Sequence, residues 1–204
     1  MLFCLAEPGG DAALDGEASL VWREEKSMRV AFEQKPGQPL GDLSSQYLPE
    51  LLKAAGGFSH ATYQHSRLPL RLFEAARIAT AVINGCTICM SWRSARDVQL
   101  LGIEGNINKA GAEPDENFYQ AVLAGDLSML DARERLAVRF AQKMGTEPRS
   151  LSADEAFWAE LKAVLTDSEI VDLTYCCAGW IGLGRAAHVL GIDAACQIPK
   201  LHAS

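Results

Sequence analysis

The sequence lacks the features that mark membrane, secreted or nucleic-acid-binding proteins. It has no apolar stretch of about 18 residues or more, so no membrane-spanning helix is expected. Its first residues carry no basic segment, and their apolar run is too short for a signal peptide. Acidic residues outnumber basic ones, 26 against 19, which gives a net charge of −7. A basic nucleic-acid-binding face is therefore not expected either.

Cysteine is also scarce. The 204-residue chain has six cysteines, unevenly placed, at Cys4, Cys86, Cys89, Cys176, Cys177 and Cys196. This sparse use excludes a small secreted scaffold held together by disulfides. We therefore expect a cytoplasmic protein in a reducing compartment, where a Cys-x-x-Cys motif favours catalysis or metal binding over a structural bridge.

What the sequence does contain is helical periodicity with ordinary globular composition, 49% hydrophobic and 22% charged. Residues 1–40 are rich in Gly, Pro, Ala and acidic residues and predict a loosely ordered arm. Residues 41–204 predict a single all-α domain. The expected helices include one that stops at Gly56-Gly57, a long apolar one that halts at Asn84-Gly85, one from Cys86 to about Leu101, and four more after residue 116.

The Cys-x-x-Cys motif of Cys86 and Cys89 directly follows the expected helix stop. In the first turn of a new helix, unpaired N–H groups and the helix dipole favour a thiolate. The spacing puts both sulfurs on one helix face, which Arg93 would continue two turns along. These features favour a redox dithiol over two buried small residues, over a zinc site, which lacks further ligands, and over a thioredoxin-like motif, which a strand would precede.

Glu74 stands in an otherwise apolar run, twelve residues before Cys86. If the cysteine helix folds back antiparallel, Glu74 could approach the sulfurs as a proton acceptor. A structural ion pair with Arg71, Arg77 or Arg93 is the alternative, since buried carboxylates are costly unless paired or protonated.

The order Glu74, eleven residues, Cys86-x-x-Cys89 and one further residue four positions on resembles the AhpD-like alkylhydroperoxidases of the carboxymuconolactone decarboxylase superfamily. The segment "ARIATAVINGCTICMSWRSARDVQLLGI" is similar to the core helical hairpin of that family, and the resemblance covers roughly residues 45–195. It implies an all-α helical bundle whose core hairpin carries the motif. It also implies assembly as a trimer or hexamer.

The resemblance further implies a thiol-dependent peroxidase of antioxidant defence. Cys89 would attack the peroxide, Cys86 would resolve the sulfenic acid into a disulfide, and Glu74 would help to deprotonate the pair. The implied partners are a small hydroperoxide and a thiol or lipoyl-type electron donor, with no bound cofactor and no metal.

The sequence departs from the family at two positions, since Arg93 and Ile88 stand where family members carry histidines. Arginine cannot deprotonate in a protein, so Arg93 cannot shuttle a proton. It could instead hold Cys89 as a thiolate, bind an anionic substrate or neutralise Glu74. His188, the only histidine of the expected last helix, is a candidate supporting residue of the site.

Two other functions stay open on the same residues. The first is a decarboxylase or lyase of the same superfamily that uses Glu74, Arg93 and His188 in acid–base chemistry on an anionic metabolite. The second is a non-catalytic oligomer whose dithiol senses oxidants.

Overall fold

The fold is helical throughout the residues that the computed structural model describes, which are 28–31, 46–101 and 110–195. Its helices are α1 (Pro49–His65), α2 (Leu70–Asn84), α3 (Thr87–Ser91), α4 (Ser94–Asp97), a 3₁₀ helix (Val98–Leu101), α5 (Glu116–Ala124), α6 (Ala132–Thr146), α7 (Pro148–Ala153), α8 (Glu155–Val164), α9 (Asp167–Leu190) and α10 (Ile192–Ala195). The all-α prediction is confirmed for this part of the chain. Most of the predicted arm at 1–40 lies outside it.

Helix α2 forms the centre of the bundle. Twelve of its fifteen residues are buried, and it packs most extensively against α6 and α9. A helix in such a position is expected to be largely apolar all round, and the buried Glu74 and Arg77 are exceptions that pair with each other. The largest fully buried side chains around it are Phe73, Phe118, Phe140, Phe157, Leu68, Ile78, Leu161 and Leu173. Among the residues described, no helix combines the length and apolar character needed to cross a membrane.

Local capping signals set the ends of several helices. Asp131 with Glu134 starts α6, and Thr166 with Glu169 starts α9, each as a complete capping box. Gly85 ends α2 in the left-handed conformation, with φ of 67°. Its N–H donates to the carbonyl of Val82 at 3.1 Å. The expected stop at Asn84-Gly85 is therefore confirmed.

The expected stop at Gly56-Gly57 is wrong, because α1 continues through both glycines to His65. The last turns of α1 bury Thr62 and Tyr63 against the core. The Tyr63 ring meets that of Phe73 edge-on, with 5.7 Å between the ring centres. Packing of this kind offsets the helix-breaking tendency of two glycines, which is about 1 kcal/mol each.

The expected continuous helix from Cys86 to about Leu101 is also wrong. Helix α3 ends at Ser91, and Trp92 and Arg93 have extended backbones with ψ of 137° and 112°. The chain then resumes as α4. Arginine side chains bind the carbonyls of Met90 and Trp92, so these groups are satisfied without a continued helix. The break moves Arg93 off the helical face that the sequence predicts for it.

Candidate dithiol site

Cys86 and Cys89 are joined as a disulfide at the start of α3, with 5.2 Å between their Cα atoms. Cys86 is the N-cap residue, and its Sγ accepts a hydrogen bond from the N–H of Cys89 at 3.3 Å. The two sulfurs differ in access: Cys86 is fully buried, whereas Cys89 is only half-buried. Solvent or a small molecule therefore reaches the pair from the side of Cys89.

Beneath this turn lies a buried ion pair between Glu74 and Arg77 on α2. Arg77 Nε donates to Glu74 Oε1 at 2.7 Å, and Nη2 donates to Oε2 at 2.9 Å. The exposed fractions are 0% for Glu74 and 2% for Arg77. Two-pronged contact of this kind is the strongest form of carboxylate–guanidinium pairing.

Two residues outside α2 complete the surroundings of Glu74. The N–H of Ser94 donates to Glu74 Oε2 at 3.3 Å, and the Ser94 hydroxyl donates to Oε1. The Tyr119 phenol also faces Glu74 and helps to lower its pKa. Burial alone would raise the pKa of this carboxyl, but the Arg77 charge and the hydrogen bonds hold it below its ordinary value. Glu74 is therefore ionised and fully engaged at neutral pH.

Arg77 connects this pair to the cysteines. Its Nη1 donates to the carbonyl of Cys89 at 2.8 Å, and its Nη2 donates to the carbonyl of Trp92 at 2.6 Å. The cysteine turn does fold back over α2. Glu74 does not touch the cysteines directly but reaches their turn through Arg77 and Ser94. This arrangement is the structural ion pair named above as the alternative for Glu74. Its role as a proton acceptor stays a prediction.

Arg93 lies at the other end of α3. Its Nη1 donates to the carbonyls of Met90 at 2.7 Å and Trp92 at 3.0 Å, which caps the helix C-terminus with a positive charge. Nε and Nη2 pair with the Glu116 carboxylate at 3.1 and 2.8 Å. The hydrogen bond from Arg93 lowers the pKa of Glu116. Among the hydrogen bonds of the described residues, none joins Arg93 to either sulfur.

Tyr119 links the two arginine–carboxylate pairs. Its hydroxyl faces Glu74, while its ring lies under the Arg93 guanidinium, 4.1 Å from the ring centre. Burial and the neighbouring Glu74 charge raise the pKa of the Tyr119 phenol, so it stays protonated as a donor. The dithiol turn is thus held from below and from its C-terminal end by one connected polar network.

His188 is brought to the opposite side of the turn. A Cβ atom placed on Gly85 would lie 3.0 Å from His188 Cε1, so the ring rests directly against the residue before Cys86. His188 Nδ1 is 2.9 Å from Asp193 Oδ2. The structure therefore places His188 against one end of the cysteine turn and Arg93 at the other, while Glu74 reaches the turn through Arg77 and Ser94.

The sequence did not point to Ser94, Tyr119 or Asp193 as residues of this site. It pointed to Arg77 only as a possible ion-pair partner of Glu74. Arg77 was detectable, because its i,i+3 spacing from Glu74 is a standard helical pairing distance. Ser94, Tyr119 and Asp193 carry no comparable sequence signal. Their positions follow from tertiary packing, which brings Asp193 to the turn from 106 residues away.

The described part of the chain contains no group of three or more His, Cys, Asp or Glu side chains arranged to hold a metal ion. Against known proteins, no family model, no curated protein and no solved structure matches this chain. The resemblance to AhpD-like alkylhydroperoxidases therefore rests on the residue spacing alone and stays a prediction.

Proposed function

We propose that this chain is a thiol-dependent peroxidase of the alkyl hydroperoxide reductase type, with Cys89 and Cys86 as its redox pair. One observation carries the proposal: the two sulfurs sit within bonding distance on a helix start, with one buried and the other accessible. Peroxide reduction by a dithiol needs an accessible attacking thiolate and a protected second thiol beside it.

The reaction balances with these two residues. The Cys89 thiolate attacks the terminal oxygen of the hydroperoxide, so that an S–O bond forms as the O–O bond breaks. Cys89 becomes a sulfenic acid, and the departing alkoxide takes a proton from solvent and leaves as the alcohol. The Cys86 thiol then forms the disulfide with Cys89 and releases water. An external dithiol, such as a lipoyl-type donor, reduces the disulfide and is itself oxidised.

The arginines around this pair bind backbone carbonyls of the cysteine turn rather than the sulfurs. Arg77 fixes the carbonyl of Cys89 and Glu74 fixes Arg77, so both are positioning residues in this proposal. Arg93 holds the C-terminal end of α3, where its charge also favours a nearby thiolate. The proposal includes a reducing cytoplasmic setting and a homo-oligomeric state, trimer or hexamer, as the resemblance implies.

The test follows consumption of cumene hydroperoxide with dihydrolipoamide or dithiothreitol as electron donor. We expect Cys89→Ser to lower turnover at least about a hundredfold, since it removes the nucleophile. Without an added dithiol, Cys86→Ser should consume one equivalent of hydroperoxide per chain and then stop, because no resolving thiol remains. Cys177→Ala is the matched control, because it alters a buried thiol outside the turn and should leave turnover intact.

Other outcomes point to the other functions. Turnover that survives Cys89→Ser contradicts the thiol mechanism. A disulfide that forms stoichiometrically with peroxide, with no turnover under any dithiol, supports the redox-sensing function instead. The lyase function predicts that Arg93→Ala abolishes activity on an anionic metabolite while alkylation of the thiols leaves that activity unchanged.

A further inference from the structure

Asp193 approaches the dithiol turn from the far end of the chain. Helix α9 ends at Gly191, whose left-handed backbone redirects the chain into α10. There Asp193 Oδ2 accepts the backbone N–H of Thr87 at 3.1 Å, and the Thr87 hydroxyl donates to the Asp193 carbonyl at 3.0 Å. Asp193 is only 2% exposed. Asp193 is thus anchored to the residue that follows Cys86 by one hydrogen bond to its buried carboxylate and one to its backbone carbonyl.

The same carboxylate oxygen contacts His188. His188 Nδ1 lies 2.9 Å from Asp193 Oδ2, the oxygen that also binds Thr87. Around this contact, Ile192 packs in one apolar cluster with Cys86 and Ile88. The position of the Asp193 charge is therefore fixed by hydrogen bonds on two sides and by packing against the buried cysteine.

This charge lies at the helix end where a thiolate on Cys86 would form. A like charge nearby disfavours ionisation, and burial of Cys86 acts in the same direction. The N–H of Cys89, which points at Cys86 Sγ, acts in the opposite direction. The disulfide carries no charge, so Asp193 opposes only the reduced, ionised form of the pair.

We propose that Asp193 is a positioning residue that sets the redox balance of the Cys86–Cys89 pair by keeping Cys86 protonated when reduced. Because the ionised dithiol is disfavoured, the reduction potential of the Cys86–Cys89 pair is lower than it would be without Asp193. The two cysteines also take different roles. Cys89 ionises and attacks, while Cys86 keeps its proton until it closes the disulfide. The inference rests on the proposed redox function of the dithiol, but not on the identity of the oxidant.

The decisive variant is Asp193→Asn. Asparagine has nearly the same shape and is an equally good acceptor for the Thr87 N–H, so it keeps the cap and removes the charge. The full chain is equilibrated at pH 8 in buffers of reduced and oxidised dithiothreitol. The fraction of Cys86–Cys89 disulfide is then measured by alkylation and peptide mass spectrometry.

We expect the equilibrium constant of Asp193→Asn to move about tenfold toward the dithiol, which equals ~30 mV for a two-electron couple. The alkylation rate of Cys86 as a function of pH should shift to lower pH, and more than that of Cys89. Asp131→Asn is the matched control. It neutralises an N-cap carboxylate of α6, away from the cysteines, and should change neither quantity.

The proposal is overturned if Asp193→Asn changes neither the reduction potential of the pair nor the pH profile of Cys86 alkylation. That is the result expected if Asp193 only caps the helix. If Asp193→Asn does not fold, His188→Ala serves instead. It removes a partner of the carboxylate, whose charge then acts more strongly, and should move the equilibrium toward the disulfide. No shift, or a shift toward the dithiol, overturns the proposal.

This measurement separates the inference from the proposed peroxidase activity. The equilibrium titration contains no hydroperoxide, so a chain without peroxidase turnover still reports the effect of Asp193. Conversely, normal turnover with an unchanged potential in Asp193→Asn supports the peroxidase function and contradicts the role given to Asp193.

Discussion

Two pairs of neighbouring cysteines in the described chain occupy opposite settings. Cys86 and Cys89 lie at a break between helices, where both sulfurs meet and one is accessible. Cys176 and Cys177 lie within the long helix α9, buried and as thiols. Adjacent residues of a helix point in different directions, so this second pair does not converge. Burial also raises the pKa of the Cys177 thiol.

The difference shows that the backbone around a cysteine decides its chemistry in this protein. The first pair has a helix start, one partly exposed sulfur and a polar network that fixes the carbonyl of Cys89. The second has apolar packing within the main core. Three expected results test this contrast, beginning with the largest effect.

Removing the support beneath the first pair should cost the most. In Arg77→Met the Glu74 carboxylate is left buried without its partner, which destabilises a protein by about 3–5 kcal/mol. Urea unfolding followed by circular dichroism at pH 7 measures this loss. The dithiol turn also loses the two hydrogen bonds to Cys89 and Trp92, whereas no hydrogen bond from Arg77 reaches α9.

Arg71→Met is the control for this change. Arg71 pairs with Glu134 in a similar two-pronged geometry, but a third of its side chain is exposed, 32%. Glu134 is itself only 5% exposed, but it keeps a hydrogen bond from the N–H of Asp131 at 3.0 Å, and water reaches the position of Arg71. The loss should therefore be smaller than for Arg77→Met, about 1–3 kcal/mol. Equal losses in the two variants would contradict the view that the Glu74–Arg77 pair is the main polar support of the site.

The next effect is the reactivity of the two pairs. After reduction, we expect iodoacetamide to label Cys89 at least about a hundredfold faster than Cys177 in the folded protein, because one thiol is accessible and the other buried with a raised pKa. Peptide mass spectrometry over a time course gives both rates in one sample. In 6 M urea the rates should converge, and similar rates without urea would remove the contrast.

The smallest effect concerns Gly85, which ends α2 directly before Cys86. In Gly85→Ala, a Cβ on a left-handed residue costs about 1–2 kcal/mol, and it meets the His188 ring at 3.0 Å. Gly125→Ala is the matched control, since Gly125 ends α5 in the same conformation, φ of 75°, with no atom within 4 Å of the added carbon. Thermal unfolding compares them.

The difference between these two glycine variants isolates the contact with His188. We expect Gly85→Ala to be the less stable variant, and also to displace the His188–Asp193 contact. Identical stability would mean that the His188 ring moves aside without cost, and that it contributes nothing to the order of the turn.

The helices were predictable from the sequence where local chemistry sets their ends. Capping boxes at Asp131 and Thr166 and the glycine at residue 85 act within one turn, so their effect is visible without the fold. The break at Trp92 was not predictable, because it depends on burial of Trp92 beside Tyr63 and on hydrogen bonds that arginine side chains donate to the free carbonyls.

The site was predictable to the same extent. One short segment, residues 74–89, contains Glu74, the helix start and both cysteines. The spacing within it indicated that Glu74 lies near the cysteine turn. The direction of Arg93 was not predictable, since a helical continuation placed it on the sulfur face and the break turned it to Glu116. The contact of Asp193 with Thr87 was not predictable either. An acidic residue in the first turn of a helix is common, and nothing in the sequence indicates that it binds a residue 106 positions away.

The contacts of the turn also differ in the length of chain that separates their partners. Arg77 binds the Cys89 carbonyl across 12 residues and Ser94 binds Glu74 across 20, whereas Asp193 reaches Thr87 across 106. Short loops cost less entropy to close and close sooner. During synthesis the dithiol turn and its lower support can therefore assemble before α9 and α10 exist. The contact between Asp193 and Thr87 can form only once α10 has been made, so it is the last of these three contacts to become available.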